Sequence, residues 1–471
     1  MTGLTRRELL VAGGALAVGT AAGVRLTTDD QARAAAGSVV VIGAGLAGLA
    51  AAYELQRAGR PVTVLEAGDR VGGRVLTVRL NEQHAEGGGE YIDTGHVQLL
   101  AYSRQFGLKL EDSRGGFANT DDLVLRRGRL KVLDSLETRG TERQLNRFYA
   151  RVERLAAPLD PADPAAAGAA LDGRSVASLL DELRIRGSAR FLLDAELRDD
   201  YGVEPEQISL LFLAAGYKAT ENQGDAGDEA FRLRGGNDQL PRALAGQLGA
   251  AVRLSTPARS VEQLATGVRV STDGGPIEAD RCVLATSLPA LRSVRFSPAL
   301  PDPLPAAIAQ LQYAPITKVL LSYRRRFWRQ RDLSGDVISD RSFGTVWDAT
   351  NRQPGRRGIL IAYAAGQHSR ALEGVPDPAH FRRTARMLGR PFPGSPRLLA
   401  SGQTVPWGEL PLFGGAYSAF APGQVNAFWA ALRRPHGRIH LAGEHTHELT
   451  GYMEGAIRSG QRVAAEILQS G

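Results

Sequence analysis

Four consecutive apolar residues, Val39-Val40-Val41-Ile42, run into the glycine-spaced segment Gly43-Ala44-Gly45-Leu46-Ala47-Gly48, and an alanine-rich stretch follows to about Gly59. An unbroken apolar run of this kind predicts a strand buried on both faces, and the glycines predict a tight turn into a helix. A second short run, Val62-Thr63-Val64-Leu65, ends at Glu66. Strand, turn, helix, strand is the order of a parallel βαβ unit. Gly43 permits the turn, Gly45 lets the backbone approach a pyrophosphate, and Gly48 lets helix and strand pack closely. Ala44, Leu46 and Ala47 complete the turn and open the helix, whose first N–H groups face the phosphates. Glu66 and Ala67, about 20 residues further on, stand where a carboxylate accepts from ribose hydroxyls. The pattern predicts a dinucleotide site and leaves NAD and FAD open.

Patterning elsewhere predicts a mixture of helices and strands. Leu145, Phe148, Val152 and Leu155 share one face of an amphipathic helix over 141–155, with Thr141 and Gln144 as its capping box. The Ala/Pro-rich stretch 156–170 reads as a loop or linker, and Ser175 opens further helix. Gly267-Val268-Arg269-Val270-Ser271 alternates as a strand, and Cys282-Val283-Leu284-Ala285 is apolar throughout. Gly437 to Glu444 reads as a short strand ending in a glycine and a carboxylate. A helix follows from Gly451 to about Leu468, with Ala456, Gly460 and Ala464 on one face. No internal repeat is visible.

Composition narrows the class. At 471 residues, 43% hydrophobic and 23% charged, the chain has the balance of a folded globular protein. The net charge of +7 comes from arginines interleaved with acids, and no basic tract alternates with aromatics, so no nucleic-acid partner is expected. Residues 5–24 place Arg6-Arg7 before a short, glycine-rich apolar run, and Ala32-Arg33-Ala34 follows as a cleavage site. This order resembles a twin-arginine export signal over 1–34 and predicts a periplasmic or secreted protein. The run is too short for stable membrane insertion. Cys282 is the single cysteine, so no intrachain disulfide is expected. His445 and His447 lie beside Glu444 without a ligand cluster around them, and no metal is expected.

Only four of the 57 basic residues are lysines: Lys109, Lys131, Lys218 and Lys318. Lys318 lies in the strand-like run Ile316-Thr317-Lys318-Val319-Leu320-Leu321, where an ammonium must be paired, solvated by a trapped water, or neutral. A lysine snorkelling from a strand edge is the alternative.

The segment Glu66-Ala67-Gly68-Asp69-Arg70-Val71-Gly72-Gly73-Arg74 resembles the extension of FAD proteins of the glutathione-reductase type, in which Arg74 would reach the flavin. With Glu86-Gly87-Gly88-Gly89-Glu90-Tyr91, Ala442-Gly443-Glu444-His445-Thr446 and Gly451-Tyr452-Met453-Glu454-Gly455-Ala456, nearly the whole mature chain resembles the flavin-containing amine oxidase family. That family includes monoamine, polyamine and L-amino-acid oxidases. The resemblance implies an α/β (α+β) fold. A discontinuous Rossmann-like FAD-binding domain (37–95, 231–290 and 416–471) would alternate with a mixed sheet-plus-helix substrate domain (96–230 and 291–415).

It further implies that Gly73, Arg74, Gly88, Gly89, Glu90, Gly443 and Glu444 line FAD, with Glu444 at its ribityl or phosphate part. Ala258 would lie near adenine, and the Met453 backbone would face the flavin. Lys318 would hold a water that assists the reaction with molecular oxygen. Trp407 opens a stretch that ends at Tyr417, and Tyr417 with Tyr452 would form an aromatic cage for the substrate. Monoamine oxidases of the family attach flavin through a cysteine where this chain has Ala416, so non-covalent FAD is expected. The implied reaction is oxidation of a mono-, di- or polyamine with release of hydrogen peroxide. L-amino-acid oxidases of the family clamp the substrate carboxylate with an arginine just after the early glycine pair, where this chain has Glu90-Tyr91. Glu90 could attract a second ammonium or serve the flavin. An L-amino-acid oxidase is the alternative, and a desaturase or a non-catalytic flavin-binding protein are further ones. A homodimer is compatible with all of them.

Overall fold

The computed structural model describes residues 37–113, 120–223 and 228–470, so the leader read over 1–34 lies outside the described residues. A five-stranded parallel sheet forms its first layer, in the order Ile439–Leu441, Arg281–Leu284, Val39–Ile42, Val62–Leu65, Val252–Arg253. Strands from three distant stretches thus share one sheet. Val39–Ile42 is buried along its whole length, as a central strand covered on both faces must be.

The helix Leu46–Arg57 packs on this sheet, and the closing helix Met453–Gln469 packs on it in turn. Their contact is backbone to backbone: a Cβ at Gly460 would lie 2.2 Å from the Ala47 carbonyl oxygen. The small-residue face of the closing helix is therefore the one turned towards the opening helix. Glu454, fully buried in its first turn, accepts from the N–H groups of Gln98 (3.0 Å) and Leu99 (2.8 Å), capping the helix Val97–Gln105 from outside.

A second sheet has seven strands, in the order Leu399–Pro406, Ile316–Tyr323, Gly358–Ala365, Thr345–Asp348, Leu333–Ser339, Asp121–Arg126, Arg129–Val132. Ile316–Tyr323 and Gly358–Ala365 are buried at every residue. Lys318 is thus a central-strand residue, opposite Tyr363 on one side and Val405 on the other. The edge-snorkelling alternative is excluded by this register.

Helices cover the remainder, and two expectations change there. The helix expected over 141–155 spans Arg139–Ala156, and Thr138, not Thr141, caps it by accepting from the Thr141 N–H. Gln144 reaches back to the Gly140 carbonyl and accepts from the Arg186 N–H. The stretch 156–170 is not a plain loop: Pro164 starts a short helix, Pro164–Gly168, its missing N–H costing nothing at that position. Ser175 caps Val176–Glu182 as expected.

Candidate active site

The glycine turn has the geometry a dinucleotide needs. Gly43 adopts φ +108°, and a Cβ there would lie 2.7 Å from the Ala285 oxygen. At Gly48 a Cβ would lie 2.0 Å from the Gly43 oxygen, whereas at Gly45 it would meet nothing within 4 Å. Gly45 therefore faces open space at a helix start that no side chain caps. Glu66 is at the mouth, accepting from the N–H groups of Ala44 and Gly68, both at 2.8 Å. A Cβ on Gly73 would lie 3.3 Å from the Gly45 Cα, so the second glycine turn abuts the first. An uncapped helix start, an open glycine wall and a carboxylate on the next strand fit the pyrophosphate and ribose of FAD. Ala258 begins the strand Ala258–Gln263, in a separate sheet of four strands.

Arg74 reaches the far end of the chain. Its guanidinium pairs with Glu444 at 2.9 Å and lies 5.6 Å from the centre of the Tyr313 ring. Glu444 also accepts from the Ser418 N–H (3.2 Å), the Ser418 hydroxyl (2.8 Å) and the Gly451 N–H (2.9 Å). Burial pushes this carboxyl up, but Arg74 and these donors outweigh it and hold it below the usual carboxylate range. Protein donors occupy both Glu444 oxygens. Glu444 fixes Arg74 and the closing turn. Burial drops His445 and His447 to about 4, so both are neutral imidazoles.

Lys318 points into the early glycine loop. Its Nζ donates to the Glu86 carbonyl (3.2 Å), the Gly88 carbonyl (3.0 Å) and Glu90 Oε2 (2.8 Å). Of the states open to a buried lysine, the structure selects the ion pair. Glu90 Oε1 accepts from Trp347 Nε1 (3.0 Å) and forms an ion pair with Arg232 at 2.8 Å. Burial pushes Glu90 up, but Lys318 and Arg232 prevail and keep it a carboxylate. The Glu90 charge is thus balanced within the protein by Lys318 and Arg232, which leaves it no net charge to offer a substrate ammonium. A Cβ on Gly89 would lie 3.1 Å from Met453 Sδ, so this loop also touches the start of the closing helix. Trp407 lies beneath it, fully buried, its Nε1–H donating to the Gly87 carbonyl at 2.8 Å. In that place Trp407 holds the loop that carries Gly88, Gly89 and Glu90.

The two tyrosines of the expected cage lie together at Gly451. The Tyr417 ring packs on Gly451, where a Cβ would come within 2.9 Å of it, and Tyr452 follows directly in the chain. The Tyr417 hydroxyl donates to the Asp199 carbonyl at 2.9 Å, and the Tyr363 hydroxyl donates to the same oxygen at 3.1 Å. This carbonyl sits in the last turn of the helix Gly187–Tyr201, where carbonyls lack intrahelical donors. Tyr452 packs edge-on against His96, with ring centres 5.3 Å apart. Burial raises Tyr417 and Tyr452 well above the ordinary phenol value. Tyr363, Asp200 and Asp199 act further on Tyr417, and Asp93 and Asp200 on Tyr452. Both remain neutral phenols at physiological pH.

Comparison with known proteins now decides the family. The family model for flavin containing amine oxidoreductases matches residues 46–468. The chain belongs to this family. Its fold is the family's mixed α/β fold, its cofactor is FAD, and it is a flavin-dependent oxidoreductase of amines. AofH of Mycobacterium tuberculosis, assigned as a flavin-containing monoamine oxidase, is 32% identical over 91% of this chain and 96% of its own length. Among solved structures, a cyclohexylamine oxidase from Brevibacterium oxydans is 27% identical with a TM-score of 0.83, covering 92% of this chain and 99% of that one. A putrescine oxidase bound to putrescine has a TM-score of 0.83 at 26% identity, with the same coverage.

Four members of this amine oxidase site escape a reading of the sequence. Tyr363 and Trp347 join only through strand register, Arg232 through its pairing with Glu90, and Asp199 through a main-chain oxygen. None carries a local motif. Arg232 alone had a readable signal, a basic residue in the apolar strand Phe231–Leu233.

Proposed function

We propose that this amine oxidase acts on amines that carry no carboxylate, with molecular oxygen as electron acceptor and hydrogen peroxide as product. The observation that carries the reading is the sign of the charges at the cage. Acidic residues surround the cage: the Asp199 main chain takes the Tyr417 hydroxyl, and the Asp93, Asp199 and Asp200 carboxylates raise the two phenols further. Such a field attracts an ammonium and repels a carboxylate. Arg232, the guanidinium beside the early glycine loop, is committed to Glu90 and to the Tyr91 hydroxyl at 2.8 Å.

When bound at the glycine turn and Arg74, FAD would supply the two-electron acceptor for the hydride on the carbon beside the amine nitrogen, with oxygen as the final acceptor. The residues of the chain do the rest. Tyr417 and Tyr452 present aromatic faces that orient the amine and exclude water, and the Asp199 carbonyl fixes Tyr417. Lys318, held by Glu90, supplies a fixed positive charge and a proton donor next to the glycine loop. A peroxide-coupled assay over monoamines, diamines, polyamines and L-amino acids tests the reading. Carboxylate-free amines should exceed their amino-acid counterparts by about 100-fold in kcat/KM. Turnover confined to amino acids would reject it, and substrate-reduced enzyme that air cannot reoxidise would reject oxygen as acceptor.

Two further properties belong to the proposal. Ala416 offers no thiol, and Cys282 is fully buried in the parallel sheet with its thiol pushed up to about 12 by burial, which supports non-covalent FAD. Acid precipitation should release all the flavin; yellow colour retained in the pellet would refute this. Arg6-Arg7 and the apolar run after them support export in the folded state. Removing residues 1–34 should leave an FAD-loaded protein in the cytoplasm, and unchanged export of the truncated chain would exclude the twin-arginine route.

A further inference from the structure

A polar cavity lies on the flank of the early glycine loop, walled in part by Glu90, the partner of Lys318. Its volume is about 10 Å³, and Glu86, Glu90, Arg232, His84, Glu111 and Ala349 are among its walls. That is room for one water, which needs roughly 10–15 Å³ and polar partners. The cavity has a group that requires one: the Arg232 Nε–H is buried and has no acceptor among the described residues. Outside it lies a surface cleft of about 410 Å³ that shares His84, Glu111 and Gln353 with the inner cavity. A line of polar groups thus runs from solvent to the ion pair of Lys318 and Glu90.

We infer that this cavity holds water and delivers the proton that Lys318 spends when oxygen is reduced, with Glu86 as the inner donor of the path. The inference rests on the reading that oxygen is the electron acceptor. Reduction of oxygen to hydrogen peroxide consumes two electrons and two protons. Bound FAD in its reduced form would supply the electron pair and one of the two protons. The second O–H bond forms with a proton from Lys318. Glu90 and the cavity water pass a replacement from the Glu86 carboxyl, which is recharged from the cleft.

Glu86 is built for this task. Its carbonyl accepts from Lys318, while its carboxyl accepts from the Thr77 hydroxyl (2.9 Å) and the Asn237 N–H (3.0 Å). The charged groups around it are Lys318 and Glu90 at the loop, Arg232, His84 and Glu111 on the cavity wall, and Arg79 paired to Asp238 behind Thr77. Burial lifts Glu86 to about 8, with Asn237 and Thr77 opposing, so a proton resides there at neutral pH and is released without a large barrier.

The test uses the FAD-loaded enzyme. Glu86→Gln should remove a protonated-carboxyl infrared band that titrates near pH 8. It should also slow reoxidation by air about tenfold, raise the solvent isotope effect on that step, and spare anaerobic reduction by amine. Ala349→Val, which fills the cavity while leaving Glu86 in place, should slow reoxidation to a similar degree. Wild-type reoxidation rates in both variants would overturn the inference, as would an infrared band that survives Glu86→Gln. Wild-type enzyme that reduces a dye but never oxygen would overturn the oxygen reading and this inference together. That outcome is recognised because the infrared band would still report Glu86.

Discussion

Lys318→Met is expected to slow reoxidation of the reduced enzyme by oxygen about 100-fold, while reduction by amine in the absence of air changes little. Methionine matches the length of lysine and suits the apolar strand, so the loss is of charge and protons alone. Lys318 is 6% exposed and bonds three acceptors of one loop, which makes its ammonium a fixed charge with no reorganisation to perform. Stopped-flow mixing with oxygen separates the two half-reactions, and equal slowing of both would reject the role. The variant should also be less stable by about 2–3 kcal/mol, because it leaves Glu90 buried with Arg232 and Trp347 as its remaining partners. Adding Glu90→Gln to Lys318→Met should recover part of that stability without recovering the rate. Denaturant unfolding of the single and double variants separates the structural effect of the pair from its effect on oxygen.

What could be read from the sequence follows from which constraints are local. A glycine at position 43 or 48 is demanded by backbone lying within 3 Å of where a side chain would start, so the fingerprint is legible wherever it occurs. Lys318 was legible because an ammonium in an apolar run has so few acceptable states. Its partner was not. Glu90 is 228 residues away, and the pairing exists only because the strand Ile316–Tyr323 passes beneath the early glycine loop. Tyr363 pairs with Lys318 on the neighbouring strand, and Asp199 contributes a carbonyl that any residue could supply. The error at Thr141 has a local cause. Thr138, three residues before it, offers the same hydroxyl, and the backbone turns into the helix there instead.

The same distinction explains why the site is held by buried ions. Its segments come from both ends and the middle of the chain, and each meets the next through a charge: Arg74 with Glu444, Glu90 with Lys318 and Arg232, and Glu454 with the N–H groups of the helix at Val97. Apolar contacts would give comparable burial with less directional preference. Charge pairs are costly to leave unmade, so they penalise every misalignment of these segments.

Glu444→Ala tests that idea most severely, and it is expected to weaken FAD binding about 100-fold and stability by about 3 kcal/mol. The substitution leaves Arg74, the Ser418 hydroxyl and the Gly451 N–H without their acceptor at once. Arg74 then has no fixed orientation towards the cofactor, and Gly451, against which Tyr417 packs, loses its tether. Glu444→Gln keeps the shape but not the charge and should fall between the two. The pH dependence follows from the folded carboxyl titrating below the unfolded one. Its stabilisation is complete above the unfolded carboxylate value of roughly 4.3 and is lost as pH falls towards the lower folded value. The stability gap between wild type and Glu444→Gln should therefore be constant from neutrality down to about pH 5 and narrow below it. Denaturant unfolding at a series of pH values, with FAD affinity followed by quenching of flavin fluorescence, measures both. A gap that widened in acid would mean that Glu444 is held in its protonated form, and the ion pair with Arg74 would not be what joins the two ends of the chain.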